Sequence, residues 1–526
     1  MTDATRCVSP ANAICGPAIA ASKICVARDR SHVTSIFIGE LSLRSVITSL
    51  FWISWLSASP AFALSVPAVV ATPTLPSFTT FYVSPAGNDG NNGMTPATAW
   101  RTVQHAASTL LAGETAIVAQ GTYNERVSIT QNGISLEADP NAVSKPVVAQ
   151  GFDIGANNVT VNGFEISFQN NNNPTGVGIN VHDASNVIVE NNYLHDLCHE
   201  GIFMSPTVNN VQVLNNQIVH PTTAGINIDG TGDLIQGNTI SGTYQHPSAL
   251  GGIYAVCTND GGSNADADGM RFFGANHIVR SNKTSGIEFD FGDTTKPNPD
   301  PHTDCFQTWG RSGENTTNIL FERNWCSAPT NGSLGSQCDV AVIQALNGPV
   351  GNLTFQNNQF QDLIRGIDAA LSGGGTPVGQ LNIYNNTFDY LDQEAIVVSG
   401  GGSRTDNIAN NIFYDVGAQW DGFIAYSGGE NFSDNVFYRR SGAPGSGLWW
   451  GGSSAAPYQA VDPLFVNYGD ATGVGADYHL CIAGQNGCVA SSPIGHSGET
   501  MSSVTNDYDG NPRSGGYSTG SEQMMH

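Results

Sequence analysis

The sequence predicts an all-β chain wound as a parallel β-solenoid, and three observations carry that prediction. Short apolar runs close on asparagine again and again, as in NVIVENN (Asn186–Asn192), NVQVLNN (Asn210–Asn216), DLIQGN (ending at Asn238), NILFERN (ending at Asn324) and NLTFQNN (ending at Asn358). The closing residues Asn192, Asn216 and Asn238 stand 24 and 22 apart; spacings of 44, 42, 34 and 28 follow before a return to 25 and 24 at Asn411 and Asn435. A small residue followed by an apolar one recurs in a second register, as Gly201-Ile202, Gly225-Ile226, Gly269-Met270, Gly286-Ile287 and Gly366-Ile367. Coils of 22 to 28 residues with two or three short strands each satisfy all three. The asparagines are expected to stack at the turns, bonding to one another and to backbone, which is a structural role.

Taken in order, the chain starts with residues 1–63, read as an N-terminal extension and signal peptide. Arg44 precedes an apolar run that ends Ala61-Phe62-Ala63, the form of a leader with a small-residue cleavage site. Pro60 and the shortness of the unbroken run speak against a stable membrane anchor. Residues 64–79 read as a Pro-containing linker. The solenoid is expected over residues 80–450. Its entry carries helical apolar spacing over Thr102–Leu111, flanked by Pro96 and Gly113 and followed by strand-like runs at Thr115–Ala119 and Arg126–Ile129. That helix would cover the first coil, whose stacked apolar residues and strand edges are otherwise open. After Trp449-Trp450 the composition changes, and residues 451–526 are expected to form an irregular C-terminal cap.

The formal net charge is −25, with only 12% charged residues. Nucleic acid and anionic lipid would be repelled, so neither is expected as a partner. A polyanionic substrate would need a local basic group or a bound cation. Seven cysteines follow the leader: Cys198, Cys257, Cys305, Cys326, Cys338, Cys481 and Cys488. In an exported protein, sequence proximity points to Cys326–Cys338 and Cys481–Cys488 as the bridges. Cys305 is expected to stack inside the coil or to bridge to Cys257.

The opening motif, YVSPAGNDGNNG, then AWRTVQHAA and AGETAIVAQGTYNERV, resembles the start of secreted right-handed parallel β-helix proteins of the pectate-lyase-like superfamily. With the repeats and the tail, the resemblance covers nearly the whole chain after the leader. It implies a right-handed parallel β-helix acting on an extracellular polysaccharide, by lyase, hydrolase or epimerase chemistry, or a relative without activity. One local match is sharper. Asn264-Ala265-Asp266-Ala267-Asp268-Gly269-Met270 resembles the N-A-D-G-F segment of family 9 pectate lyases, near their calcium and catalytic lysine. Phe273 stands where that lysine would be, with Arg271 two residues earlier.

Strand alternation projects one set of side chains outward from the central coils. These are Asn227 and Asp229, then Tyr254, Arg271, Glu288 and Asp290, then Gln307 and Trp309, with Asp268, Asp304 and His302 at the edge. Coils stack about 4.8 Å apart, so these residues would form a ladder along a glycan-binding groove. The first expectation is β-elimination, with Arg271 as base and calcium held by Asp266, Asp268, Glu288 and Asp290, since calcium takes hard oxygen ligands. Tyr254 and Trp309 would be sugar platforms. A glycoside hydrolase using Asp290 and Asp304 is the second reading. A uronate epimerase using His302 with an arginine, and a non-catalytic glycan-binding surface protein, are the others. Each residue also has a structural alternative. Arg271 could pair with Glu288, His302 could be solvated in its Pro-rich loop, and Trp309 could be packing. The position of the bidentate glutamate of a calcium loop is held by Ala275. A monomer is expected.

Overall fold

The computed structural model describes residues 79–522, apart from 168–175, 244–266, 288–302, 329–337, 371–378, 400–404, 418–423, 427–428, 441–448, 451–457, 470–474 and 514–517. The expected leader and linker, up to residue 78, lie outside the described residues, as do Tyr254, Asp266, Glu288, Asp290 and His302. Among the described residues the chain is a parallel β-helix, built from three long sheets of 13, 12 and 13 strands. The first sheet runs from Thr80–Val83 to Gly429–Ser433, the second from Val127–Ile129 to Trp449–Trp450, and the third from Gly121–Tyr123 to Tyr458–Gln459. Every strand pair within these three sheets is parallel, each strand bonding to the equivalent strand one coil away, as in Ile226 opposite Met270 and Met270 opposite Phe306.

The asparagine repeat explains itself at the turn between the first and third sheets. Asn192, Asn216, Asn238, Asn282, Asn324, Asn358, Asn386, Asn411 and Asn435 form one continuous buried ladder. In the middle of it, Asn282 Nδ2 donates to Asn324 Oδ1 at 3.0 Å and to the Ile235 carbonyl at 2.9 Å. Its Oδ1 accepts from both the backbone N–H and the Nδ2 of Asn238. Donors and acceptors are thereby used, which makes a buried amide tolerable. The residue before each ladder member serves differently, turning the chain at positive φ. Asn191, Asn215, Asn357, Asn385 and Asn410 take φ between 53° and 58° there, and Asp434 does so at 51°. Asparagine and aspartate reach this region at least cost among residues with a Cβ, which explains the Asn-Asn pairs.

Apolar residues of the three sheets point inward and stack coil on coil. Phe321 and Phe355 lie 4.5 Å apart, and Phe360, Phe388, Phe413 and Phe437 continue at 5.3, 5.2 and 4.7 Å. At the N-terminal end the helix spans Val103–Thr109, shorter than expected, because Leu110 leaves helical geometry and Leu111 is exposed. Thr102 caps it, accepting the His105 N–H, and Glu125 accepts the N–H groups of Val103 and Gln104. Val103, Ala106 and Ala107 join the same core as Val127 and Ile129 of the first strand of the second sheet.

The C-terminal segment packs sideways onto the outer face of the third sheet. Phe465, Tyr478, Leu480 and Ile494 close over Ile412, Tyr414 and Val436. Arg513, 6% exposed, donates from Nη2 to Asn357 Oδ1 and to the carbonyls of Gly520 and Ser521.

The cysteines correct one expectation. Cys481–Cys488 forms as expected, but Cys326 bridges to Cys305, not to Cys338, which is a buried free thiol. Cys305 directly precedes the strand Phe306–Trp309 of the second sheet and Cys326 sits in the strand Trp325–Ser327 of the third, so their side chains meet across the interior of one coil. Cys338 starts the following coil. Nearness in sequence misleads in a solenoid, where 21 residues bring two positions to opposite walls of the same turn. Cys198 is also disulfide-bonded.

Candidate functional site

The site follows from the register of the second sheet. Asn227, Arg271 and Gln307 occupy equivalent positions on successive coils and so share one row, but Ile287, read from the sequence in the same register, lies on a strand of the third sheet, Lys283–Ile287. The row continues backward through Phe203 and Asn180 and forward through Val342 and Asp368. Asn227 and Gln307 are only 4% and 5% exposed, and Asn227 Nδ2 donates to the Met204 carbonyl. These two polar side chains are enclosed. Two residues further along the chain come Asp229 and Phe273, each just past its strand, and Trp309 at the end of its own.

Arg271 does not stand alone in this row. Its Nε donates to Asp268 Oδ2 at 2.7 Å, an ion pair made within its own strand, Asp268–Phe272. The guanidinium carbon lies 5.5 Å from the Trp309 ring. Arg311 lies 5.8 Å from the same ring and covers the Phe273 ring at 3.2 Å. Arg311 Nη1 is anchored on Asp229 Oδ2 at 2.7 Å. Trp309 therefore packs edge-on against Phe273, with two anchored guanidinium groups beside it. Burial raises the Asp229 carboxyl above the ordinary carboxylate range, while the Gly230 N–H and Arg311 pull it back.

Beneath this row runs a file of enclosed carboxylates. Asp268, Asp304 and Asp339 are 0%, 0% and 1% exposed. Asp268 Oδ1 accepts the Asp304 N–H at 3.1 Å, and Asp304 Oδ1 accepts the Asp339 N–H at 3.0 Å. Each carboxylate thus sets the start of the strand on the next coil. Burial pushes Asp339 up to about 7, with Arg365 opposing. Of the carboxylates expected to hold calcium, Asp268 is among the described residues, and both its oxygens are engaged, one of them by a guanidinium that repels a cation.

Reasoning from the sequence missed Arg311 and a second polar cluster on the same sheet. Arg311 lies just past a strand end, where alternation makes no forecast. In the earlier coils, Asp153 gathers Asn180 Nδ2 at 2.7 Å, His182 Nε2 at 3.3 Å and Arg126 Nη2 at 3.6 Å. Burial alone would raise Asp153; the hydrogen bonds of Asn180 and His182, with the Arg126 charge, hold it below the usual range instead. The outward positions of Asp153 and Asn180 were available in the strand pattern and could have been found from it.

Residues 112–272 match the family model described as a right handed beta helix region. The chain is 25% identical over 356 residues to the uncharacterized protein YwoF of Bacillus subtilis (strain 168), covering 63% of this chain and 68% of that protein. Among solved structures it is similar to pectate lyase Pel9A, with a TM-score of 0.42 and 14% identity over 85% of this chain and 96% of that one. It is also similar to the catalytic unit of a GH87 alpha-1,3-glucanase from Streptomyces thermodiastaticus strain HF3-3. There the TM-score is 0.44 and the identity 12%, over 68% of this chain and 66% of that one. Among the described residues no helix is long and apolar enough to cross a membrane.

Proposed function

We propose that this protein is an exported enzyme that cleaves an acidic polysaccharide by β-elimination on the second sheet. The observation that carries the reading is the Arg271–Trp309–Arg311 group. In a chain of net charge −25, two guanidinium groups anchored on buried carboxylates flank one aromatic ring. These are the local basic groups a uronate polymer needs: the ring would pair with a sugar, and the guanidinium groups, which share their charge with Asp268, Asp229 and Glu314, would pair with its carboxylate. Neutralisation makes the proton on the neighbouring carbon easier to remove. As that proton leaves, a carbon–carbon double bond forms, the bond to the adjacent glycosidic oxygen breaks, and the oxygen takes a proton from water.

Arg271 was expected to act as the base. Its ion pair with Asp268 fits a fixed positive charge better, so we assign it to the substrate carboxylate; His302, the other candidate for proton transfer, lies outside the described residues. Calcium, drawn from Asp266, Glu288 and Asp290, stays a proposal for the same acidic stretch. Hydrolysis through Asp304 is the weaker reading, because a carboxyl with no exposed surface cannot reach a glycosidic oxygen. The test is a panel of neutral and acidic polysaccharides incubated with the full chain, with and without chelator. An ultraviolet-absorbing unsaturated product from a uronate polymer supports the reading. New reducing ends without that absorbance favour hydrolysis, and binding without any product favours a glycan-binding surface protein. Loss of product with chelator supports calcium.

A further inference from the structure

The C-terminal segment brings together three metal-capable side chains from three separate stretches: His479, on strand Asp477–Leu480, Asp509 and Glu522. One ligand atom from each lies within 4.8 Å of the others. His479 Nε2 is 2.9 Å from Asp509 Oδ2 and 3.9 Å from Glu522 Oε2. Two features mark this as more than a patch of charge. The Glu522 side chain is only 2% exposed, and while its Oε1 accepts from Gln359 Nε2 at 2.8 Å, its Oε2 accepts no hydrogen bond and faces His479. A buried carboxylate oxygen left so is costly unless a charge completes it. On the other edge of the imidazole, Asp477 Oδ1 lies 2.5 Å from Nδ1. A carboxylate on one ring nitrogen turns the lone pair of the other outward, the usual support of a metal-bound histidine.

We propose that His479, Asp509 and Glu522 form a divalent-cation site of the zinc class, with Asp477 as the positioning residue. One imidazole and two carboxylates suit such an ion, and water would fill the open side, where His479 and Asp509 are 40% and 45% exposed. Asp509, exposed and able to rotate, supplies the adjustment that bonds of about 2.0–2.2 Å demand. Because Glu522 is held by Gln359 of strand Gln359–Leu363, the ion would fasten the C-terminal segment to the third sheet. This site lies on a different sheet from the proposed catalytic group and does not depend on that reading.

The test uses the full chain, stripped with chelator and titrated with zinc chloride by calorimetry at neutral pH, alongside thermal unfolding. The wild type is expected to bind zinc at this site, with its unfolding midpoint rising as zinc is added. Glu522→Gln keeps the size and a partner for Gln359, and is expected to weaken binding at least tenfold and abolish the midpoint shift. Asp477→Asn is expected to weaken binding by about 10- to 100-fold, the usual cost of losing such a support. Equal zinc binding by wild type and Glu522→Gln overturns the proposal. So does a wild type whose midpoint ignores zinc, which would leave His479 as an imidazolium held among carboxylates.

Discussion

Arg311 Nη1 lies 2.7 Å from Asp229 Oδ2, although 82 residues separate them in sequence. They are two coils apart along the second sheet, and the pair spans the row that holds Phe273 and Arg271. Asp229 is nearly enclosed, at 3% side-chain exposure, whereas Arg311 is 28% exposed. Removing the arginine therefore leaves a buried carboxylate short of a partner. Arg311→Met is expected to cost about 1–3 kcal/mol in urea unfolding, the penalty for a buried polar group left unpaired. Adding Asp229→Asn should recover part of that loss. A double variant no more stable than Arg311→Met would show that the pair does not stabilise the fold.

The asparagine ladder makes a sharper stability prediction, because buried and exposed rows can be compared on the same coils. Asn282→Ala removes the acceptor for two donors of Asn238 and the donor to Ile235, so a loss of about 3 kcal/mol or more is expected. Asn318 belongs to an exposed row and sits at φ 61°. Asn318→Gly keeps that backbone conformation and is expected to change stability by about 0.5 kcal/mol or less. Denaturant midpoints of the two variants check both values.

A pH dependence follows from Asp389. Burial pushes its carboxyl up to about 7 from 3.8, opposed first by Tyr478, whose Oη lies 2.9 Å from Asp389 Oδ2, and then by Arg440. The folded chain therefore holds this proton where the unfolded chain has released it. The resulting stability is complete below about 3.8 and is lost as pH rises through about 7. Asp389→Asn is expected to flatten the fall in stability across that window. Unchanged slopes of unfolding free energy against pH would contradict the assignment.

Cys338 gives a chemical prediction. Its thiol is pushed upward by burial, so in the folded chain it should resist alkylation and react only on unfolding. Peptide mapping without reduction should recover Cys305 linked to Cys326. A Cys326–Cys338 peptide would refute the observed pairing.

Much of this fold was legible because its repeat is written in residue types with one physical use. Asn192 to Asn435 could be counted by eye, and each counted spacing is one step of the observed buried ladder. The alternation that placed Asn227, Arg271 and Gln307 outward in one row also held, since inward neighbours such as Ile226, Met270 and Phe306 must meet the core. What failed to be legible depends on distance through space. The partner of Cys326 lay across one coil, Arg311 reached back over two, and the enclosure of Asp304 came from strands above and below it. None of these leaves a spacing in the sequence.

In the proposed reaction, two anchored arginines beside Trp309 recognise a uronate carboxylate during bond cleavage. The most direct measurement compares a uronate polymer with its carboxyl-reduced form, for wild type and for Arg271→Ala with Arg311→Ala, following unsaturated product by ultraviolet absorbance. Product is expected from the acidic polymer alone, with a fall of at least about 100-fold in the double variant, as when groups that stabilise developing charge are removed. Equal cleavage of the carboxyl-reduced polymer, or undiminished activity in the double variant, would contradict that recognition.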